Sequence, residues 1–279
     1  YKQSKQKYYK QSDIKENIRN LFLLWEYPLE NKKAVGMLKI FLYTFNKFNK
    51  DNIIYIFSNK LKYDLLDDQN IRIVRFEKDE LINTSPLEGI NLSIEWRDFS
   101  DIFRMVCLWR WGGTYTDIDN TCIRKLPSIK NLLSRTYDPH RWQHNKYNVI
   151  DGKYREIRNY NHIPFRFRND PLINFEPKNL FIKKVMDRKM KKQNEVWQKI
   201  LTDIWLEDIY FSKKNVNLGL TLVYLQDITG TYHYSSWDRC EKGGEMCDLI
   251  KSNFPTIKTT WKYKTKNRTD IVKFLNNIY

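Results

Sequence analysis

After a polar, lysine-rich opening (residues 1–16), the chain enters an apolar run from Ile18 to Trp25. Pro28 closes the run, which reads as a buried strand. Ala34, Leu38, Phe41, Phe45 and Phe48 then recur at intervals of three and four, the spacing of one helix face. Residues 52–57, with Ile53, Ile54, Tyr55 and Ile56, give a second short strand. Ile71 to Phe76 gives a third, alternating apolar with charged positions. Strand, helix and strand in this rhythm predict an α/β fold with a mostly parallel sheet.

A further helix is predicted over Phe99 to Trp111, because Ile102, Met105, Val106 and Trp109 line one face. Asp98 or Ser100 can cap its start, and Gly112-Gly113 ends it. A strand from Thr114 to Ile118 follows. Helical patterns reappear at Asn179 to Met190, Glu195 to Phe211 and Val216 to Ile228. Between them, Tyr137 to Arg168 shows no period and is rich in Asn, Arg, Tyr and His, as suits an acceptor-binding loop or lid. The expected organisation is a tether or stem over residues 1–16 and one domain over 17–279. Its donor-binding half runs to about residue 130 and its acceptor or lid half covers 131–279.

A chain of 279 residues, 41% of them hydrophobic, can bury one sizeable core and is not of disordered composition. The net charge of +16 favours polyanionic partners, among them phosphate-bearing small molecules, nucleic acid and an acidic membrane surface. The densest basic run, Lys183-Lys184, Arg188-Lys189 and Lys191-Lys192, reads first as a solvated helix face. Four cysteines are too few for a disulfide scaffold. Cys107 reads as core, while Cys240 and Cys247 are close enough to bridge in an oxidising compartment. No apolar run approaches the roughly 18 residues of a membrane span.

The chemistry-bearing signal is Asp117-Ile118-Asp119. On a strand end, carboxylates two apart project to one face and can hold a hard divalent cation. Such an ion offsets the charge that develops on a departing diphosphate. The pair alone is weak evidence; its neighbours strengthen it. Asp101 and Arg104 share one helix face, either as an ion pair worth about 0.2–0.5 kcal/mol or as a grip on ribose or hexose hydroxyls.

Ser100-Asp101, Arg104, Leu108, Gly112-Gly113, Tyr115, Asp117 and Asp119 together resemble the S-D-x-x-R…L…G-G-x-Y-x-D-x-D signature. That signature belongs to the DXD-type glycosyltransferases of family 32 and, more distantly, the clostridial glucosylating toxins. Within the group the chain is most similar to the α-1,4-glycosyltransferases of the globotriaosylceramide synthase type. The residues carrying that likeness are Trp25 with Pro28, Ser58-Asn59, Thr84 to Glu88, and Asn169 through Phe175-Glu176, so it spans about Leu21 to Met190. Asn217-Leu218-Gly219 stands where those enzymes carry a Gly-Pro pair.

The resemblance implies a GT-A fold, a UDP-sugar donor, Mn2+ (or Mg2+), and hexose transfer with retention to a carbohydrate, glycolipid or protein acceptor. By the same resemblance Asp119 ligates the metal. Asp117 contacts ribose, sugar or metal-bound water, and Asp101 and Arg104 hold donor hydroxyls. Trp25 stacks near the uracil, and Tyr115, Ser58 and Asn169 line the donor pocket. Ser235 and Trp237, in the His233 to Trp237 segment, resemble the loop that closes over diphosphate, a place Thr260-Trp261 can equally fill. His233 is a further candidate metal ligand, with an ordinary core or surface histidine as the equal alternative.

Two other readings stand beside this one: a metal-dependent nuclease using the basic surface, and a non-catalytic nucleotide-sugar-binding module. Nucleic acid is not an expected partner, because no third and fourth acidic residue completes a two-metal centre. Membrane-surface association fits the charge. The expected compartment is the Golgi lumen if a stem and anchor precede the chain, and otherwise the cytoplasm. Oligomeric state has no signature in the sequence.

Overall fold

The computed structural model describes residues 8–62, 70–92, 94–118, 120–122, 124–137, 165–205, 220–224 and 256–258. Strands β1 (Asn20–Leu24), β2 (Ile53–Phe57) and β3 (Ile71–Val74) lie side by side and parallel. Their side chains alternate between two cores, and both faces of the sheet are covered. Leu21, Leu23, Ile54 and Ile56 pack toward α1 (Lys32–Phe48), whereas Phe22, Tyr55 and Phe57 join the core built with α3 (Trp96–Trp111). Burial on both sides is why β1 from Leu21 and β2 read as continuous apolar runs, while half-buried Arg72 interrupts the edge strand β3.

The Asn31 side chain caps α1, accepting from the Ala34 N–H at 3.1 Å. Ala34, Leu38, Phe41 and Phe45 are buried, as their spacing requires. A five-residue helix, α2 (Lys78–Ile82), leads toward α3. Helix α3 begins at Trp96, ahead of both expected caps, and no side chain caps its N-cap residue Glu95.

Past α3 the chain reverses through two glycines. Gly112 has φ +68° and Gly113 φ +109°. A Cβ on Gly113 would lie 2.3 Å from the Asn20 carbonyl oxygen, where β1 crosses. Neither the angle nor that gap suits another residue. Gly113→Ala is therefore expected to cost about 2–4 kcal/mol, read as a lowered melting temperature by circular dichroism.

The chain then forms β4 (Gly113–Tyr115), parallel to β1 on the side away from β2. Strands β6 (Leu132–Tyr137), β7 (Phe165–Phe175) and β8 (Thr221–Tyr224) extend the sheet, giving the order β3-β2-β1-β4-β7-β6-β8. Among the described strands of this sheet, β7 alone runs antiparallel to its neighbours. A separate pair joins β5 (Asn120–Cys122) to β9 (Thr256–Lys258). Helices α4 (Leu180–Lys191) and α5 (Trp197–Trp205) complete the α3-side core. The α/β class and the mostly parallel, helix-flanked sheet of the GT-A expectation are present.

Four expectations shift. Residues 221–224 are a strand and not part of a helix, because Thr-Leu-Val-Tyr, with β-branched Thr221 and Val223 and aromatic Tyr224, pairs along the edge of β6. Residues 165–168 open β7 and so leave the supposed irregular segment, whose residues 138–164 lie outside the described ones. The strand after Gly112 stops at Tyr115, two residues short of Asp117. The stretch expected to be a tether docks from residue 8 onward. Tyr9 bridges to Val74, and Ile14 is buried in the α3-side core.

Candidate active site

Strand β1 is the topological switch of this sheet: β2 and β3 lie on one side of it and β4 on the other. In open α/β sheets a crevice forms outside the carboxyl ends of the strands at such a point, and ligands bind there. The chain leaves β1 at Trp25-Glu26, β2 at Ser58-Asn59 and β4 at Thr116-Asp117, all on that edge.

Arg104 is the hub. It is 4% exposed, on the α3 face toward β4. Its guanidinium lies 4.4 Å from the Tyr115 ring centroid. Its Nε donates to the Ser100 carbonyl at 3.2 Å, and its terminal NH2 group donates to Ser100 Oγ at 3.3 Å. The same NH2 group reaches Asp101 Oδ1 at 3.1 Å and Asp117 Oδ1 at 3.5 Å. The Tyr115 hydroxyl donates to Asp117 Oδ1 at 2.8 Å. Five residues scattered over the S-D-x-x-R…Y-x-D string thus form one contact cluster.

The two carboxylates in that cluster remain within reach of solvent. Their side chains are 23% exposed for Asp101 and 36% for Asp117, against 5% for Arg104. A ligand entering the crevice meets carboxylate oxygens already held by a buried cation. Asp117 is placed by this grip and by a turn in which Asn120 N–H donates to its carbonyl at 3.1 Å, not by strand alternation. Asp119, His233, Ser235, Trp237 and the Asn169 side chain lie outside the described residues, as do Cys240 and Cys247; Asn169 is on β7.

Trp25 differs from expectation. Sharing parity with Leu21 and Leu23, it turns into the α1-side core, is 0% exposed, and meets Tyr27 edge-on at 5.3 Å. A fully buried ring has no face to stack on uracil. Its indole Nε1 has no hydrogen-bond partner among the described residues. Trp25→Ala is expected to cost about 3–5 kcal/mol of stability, as other buried tryptophans do, measured by denaturant unfolding. Ser58 is likewise buried, and its Oγ accepts from Lys60 N–H (3.1 Å) and Leu61 N–H (3.0 Å). It shapes the turn after β2 and does not present its hydroxyl to the crevice.

Two residues near this edge had no place among the expected site residues. Glu26 accepts from Asn59 N–H at 3.3 Å, and burial, opposed by that bond and by Lys60, Arg75 and Lys78, raises its pKa. Lys189 is 9% exposed, and burial lowers its pKa against the opposing charges of Asp101 and Asp98. The signal was in the pattern: Lys189 continues the apolar face of Ile182, Val185 and Met186.

Three other members of the basic run pair with acidic residues. Lys183 meets Asp187 at 2.7 Å, Arg188 meets Asp203 at 3.8 Å, and Lys192 meets Glu195 at 3.4 Å. Lys183, Lys191 and Lys192 are exposed, as the solvated-face reading expects, whereas Arg188 meets a buried Asp203 and Lys189 is itself buried. Cys107 and Cys122 are both buried, and burial pushes the Cys122 thiol up to about 12, outside the range of a thiolate ligand at neutral pH. No described helix is long and apolar enough to cross a membrane.

The segment holding this cluster can be set against known families. Residues 6–137 match the family described as "Glycosyltransferase sugar-binding region containing DXD motif". The match covers just under half of the chain. The matched stretch contains the whole β1-to-β4 switch, the Arg104 cluster and the Asp117/Asp119 pair. Among solved structures, the chain is similar to the PaToxG glycosyltransferase, with 16% identity, 70% of this chain and 71% of that one covered, and a TM-score of 0.46. It is also similar to the galactosyltransferase LgtC in complex with donor and acceptor sugar analogs, at 12% identity, 93% and 95% coverage and a TM-score of 0.38. No curated protein matches it in sequence.

Proposed function

We propose that this glycosyltransferase is metal-dependent and retaining, and that it moves a hexose from a UDP-sugar to a glycan, lipid or protein acceptor. The observation that carries the reading is the Arg104 hub, which draws Asp101 and Asp117 together at the switch point of the sheet.

The donor set suits a hard divalent ion. Mg2+ and its like take one or two carboxylates and complete their shell with water and substrate phosphates. Asp117 is a half-open carboxylate anchored by Tyr115, with Asp119 two residues on as the direct ligand. Mn2+ or Mg2+ there would offset charge on the departing diphosphate.

The roles divide by burial. Arg104 fixes the positions of Asp101 and Asp117, and those carboxylates accept from ribose or hexose hydroxyls. Tyr115 holds Asp117 and lies against the Arg104 guanidinium. Asn169, Ser235, Trp237 and His233 enter the reading through the resemblance alone. In the transfer step the acceptor oxygen bonds to the anomeric carbon as its bond to the diphosphate breaks. The attack comes from the face the diphosphate leaves, and a diphosphate oxygen takes the acceptor's proton. The transition state has oxocarbenium character.

Hydrolysis of radiolabelled UDP-hexoses, measured with Mn2+, with chelator and in Asp119→Ala, tests the reading. Release of hexose that needs both the metal and Asp119 supports it. Salt-sensitive DNA cleavage without UDP-sugar turnover would replace it with the nuclease. Binding of UDP-sugars without turnover would leave only a binding module.

A further inference from the structure

The stretch that precedes β1 reaches the donor edge through direct contacts. Tyr9 pairs with β3: its N–H donates to the Ile73 carbonyl at 2.9 Å, and its carbonyl accepts from Arg75 N–H at 3.2 Å. The Arg72 guanidinium lies between the Tyr9 ring (4.9 Å) and the Tyr55 ring (5.5 Å) and donates to the Tyr55 hydroxyl at 3.0 Å. Gln11 accepts from Arg110 at 3.4 Å, and Ile14 is buried in the α3-side core. Residues 8–14 therefore form a strap fastened along one edge of the sheet.

The strap's first described residue matters most. The Tyr8 ring covers the Arg75 guanidinium at 3.9 Å. Arg75 in turn donates one terminal nitrogen to the Ser58 carbonyl and the other to the Leu61 carbonyl at 2.5 Å. It grips both ends of the turn that follows β2. That turn is tied to the exit of β1, because Glu26 accepts from Asn59 N–H and the Glu26 carbonyl accepts from Lys60 Nζ at 2.7 Å. Asn59 also bonds both backbone groups of Phe76, donating to its carbonyl at 2.8 Å and accepting from its N–H at 3.3 Å. One wall of the switch-point crevice is thus held from outside by an aromatic ring on an arginine.

We propose that Tyr8 and Arg75 are positioning residues for donor binding, the strap holding the Ser58 to Leu61 turn in the shape that receives the nucleotide end of the donor. This rests on the donor-site reading above. Arg75 donates to two carbonyls on the turn and feels the charge of the Glu26 carboxylate, and the Tyr8 ring adds a cation–π partner. A flat, doubly donating guanidinium sets two carbonyls at once, which a lysine at that position would not do.

The test compares Tyr8→Ala, Tyr8→Phe and Arg75→Met in the full chain, with two readouts. The first is amide hydrogen exchange at Lys60 and Leu61, whose N–H groups bond Ser58 Oγ. The second is UDP-hexose hydrolysis resolved into KM and kcat. Tyr8→Ala should speed exchange at those two amides by about fivefold, with exchange in α4 unchanged. It should raise the donor KM about threefold with kcat held. Tyr8→Phe, which keeps the ring, should match the parent, and Arg75→Met should exceed Tyr8→Ala in both readouts. Unchanged exchange at Lys60 and Leu61 in Tyr8→Ala overturns the proposal, and so does faster exchange with an unaltered donor KM. If the parent protein turns over no UDP-sugar, the donor-site reading fails, while the exchange experiment still decides whether the strap sets the turn.

Discussion

Arg104→Met should lower donor turnover by about 100- to 1,000-fold, the range seen when one preorganised electrostatic group is removed from an active site. The guanidinium does three jobs in one place. It holds two Ser100 oxygens, closes the Asp101 ion pair at 3.1 Å, and approaches Asp117 at 3.5 Å from a position 4% exposed. Methionine fills much of the volume beside the Tyr115 ring, but leaves Asp101 and Asp117 without that cation. Losing hydrogen bonds to charged groups costs about 1.5–3 kcal/mol in stability, visible by thermal unfolding, and both partners' access to solvent keeps the cost at the low end. Arg104→Lys separates charge from geometry. It should recover most of the stability but little of the turnover, because an ammonium cannot reproduce the planar fork that serves Ser100 and Asp101 together. Turnover restored by lysine would show that the charge suffices and the positioning role is wrong.

The second large effect is expected at the carboxylate pair. Asp117→Asn keeps the shape and the bond from Tyr115, yet removes the charge that a divalent ion and Arg104 both need. Asp119→Asn removes the proposed direct ligand. Each should cut metal-dependent UDP-hexose hydrolysis by at least about 100-fold. The two should differ in folding. Asp117→Asn weakens a contact to buried Arg104 and so should also lower the melting temperature in the absence of metal.

Much of this arrangement was legible before any coordinates. The runs at Leu21 to Leu24 and Ile53 to Phe57 are apolar throughout because helices cover both faces of the sheet, while half-buried Arg72 interrupts Ile71 to Val74 at the sheet edge. The three-four rhythm of α1 and α3 survived intact for the same reason: burial fixes the face. The motif string proved to be a physical cluster, since one turn of α3 separates Ser100 from Arg104 and the double glycine brings Tyr115 and Asp117 back beneath them.

The misreadings share a cause, namely that local pattern cannot see the neighbour. Thr221 to Tyr224 became a strand because β6 offered an open edge. Residues 8–14 looked like a tether by composition, yet Tyr9 found the edge of β3 and Ile14 found the core. Trp25 shows a subtler loss. A W-x-x-P start suggests a base-stacking ring, but counting by twos from Leu21 and Leu23 already assigns it to the α1 side. Lys189 was hidden in a charged run although it continues the apolar stripe of α4.

A divalent ion held at the Asp117/Asp119 edge would carry the nucleotide diphosphate, and electron paramagnetic resonance of Mn2+ reads that directly. Adding UDP to the protein with Mn2+ should convert the free-ion signal to a bound one, and Asp119→Asn should abolish the conversion. A signal that stays that of free Mn2+ with UDP present, or one equally bound in Asp119→Asn, would contradict the assignment of this edge as the donor site.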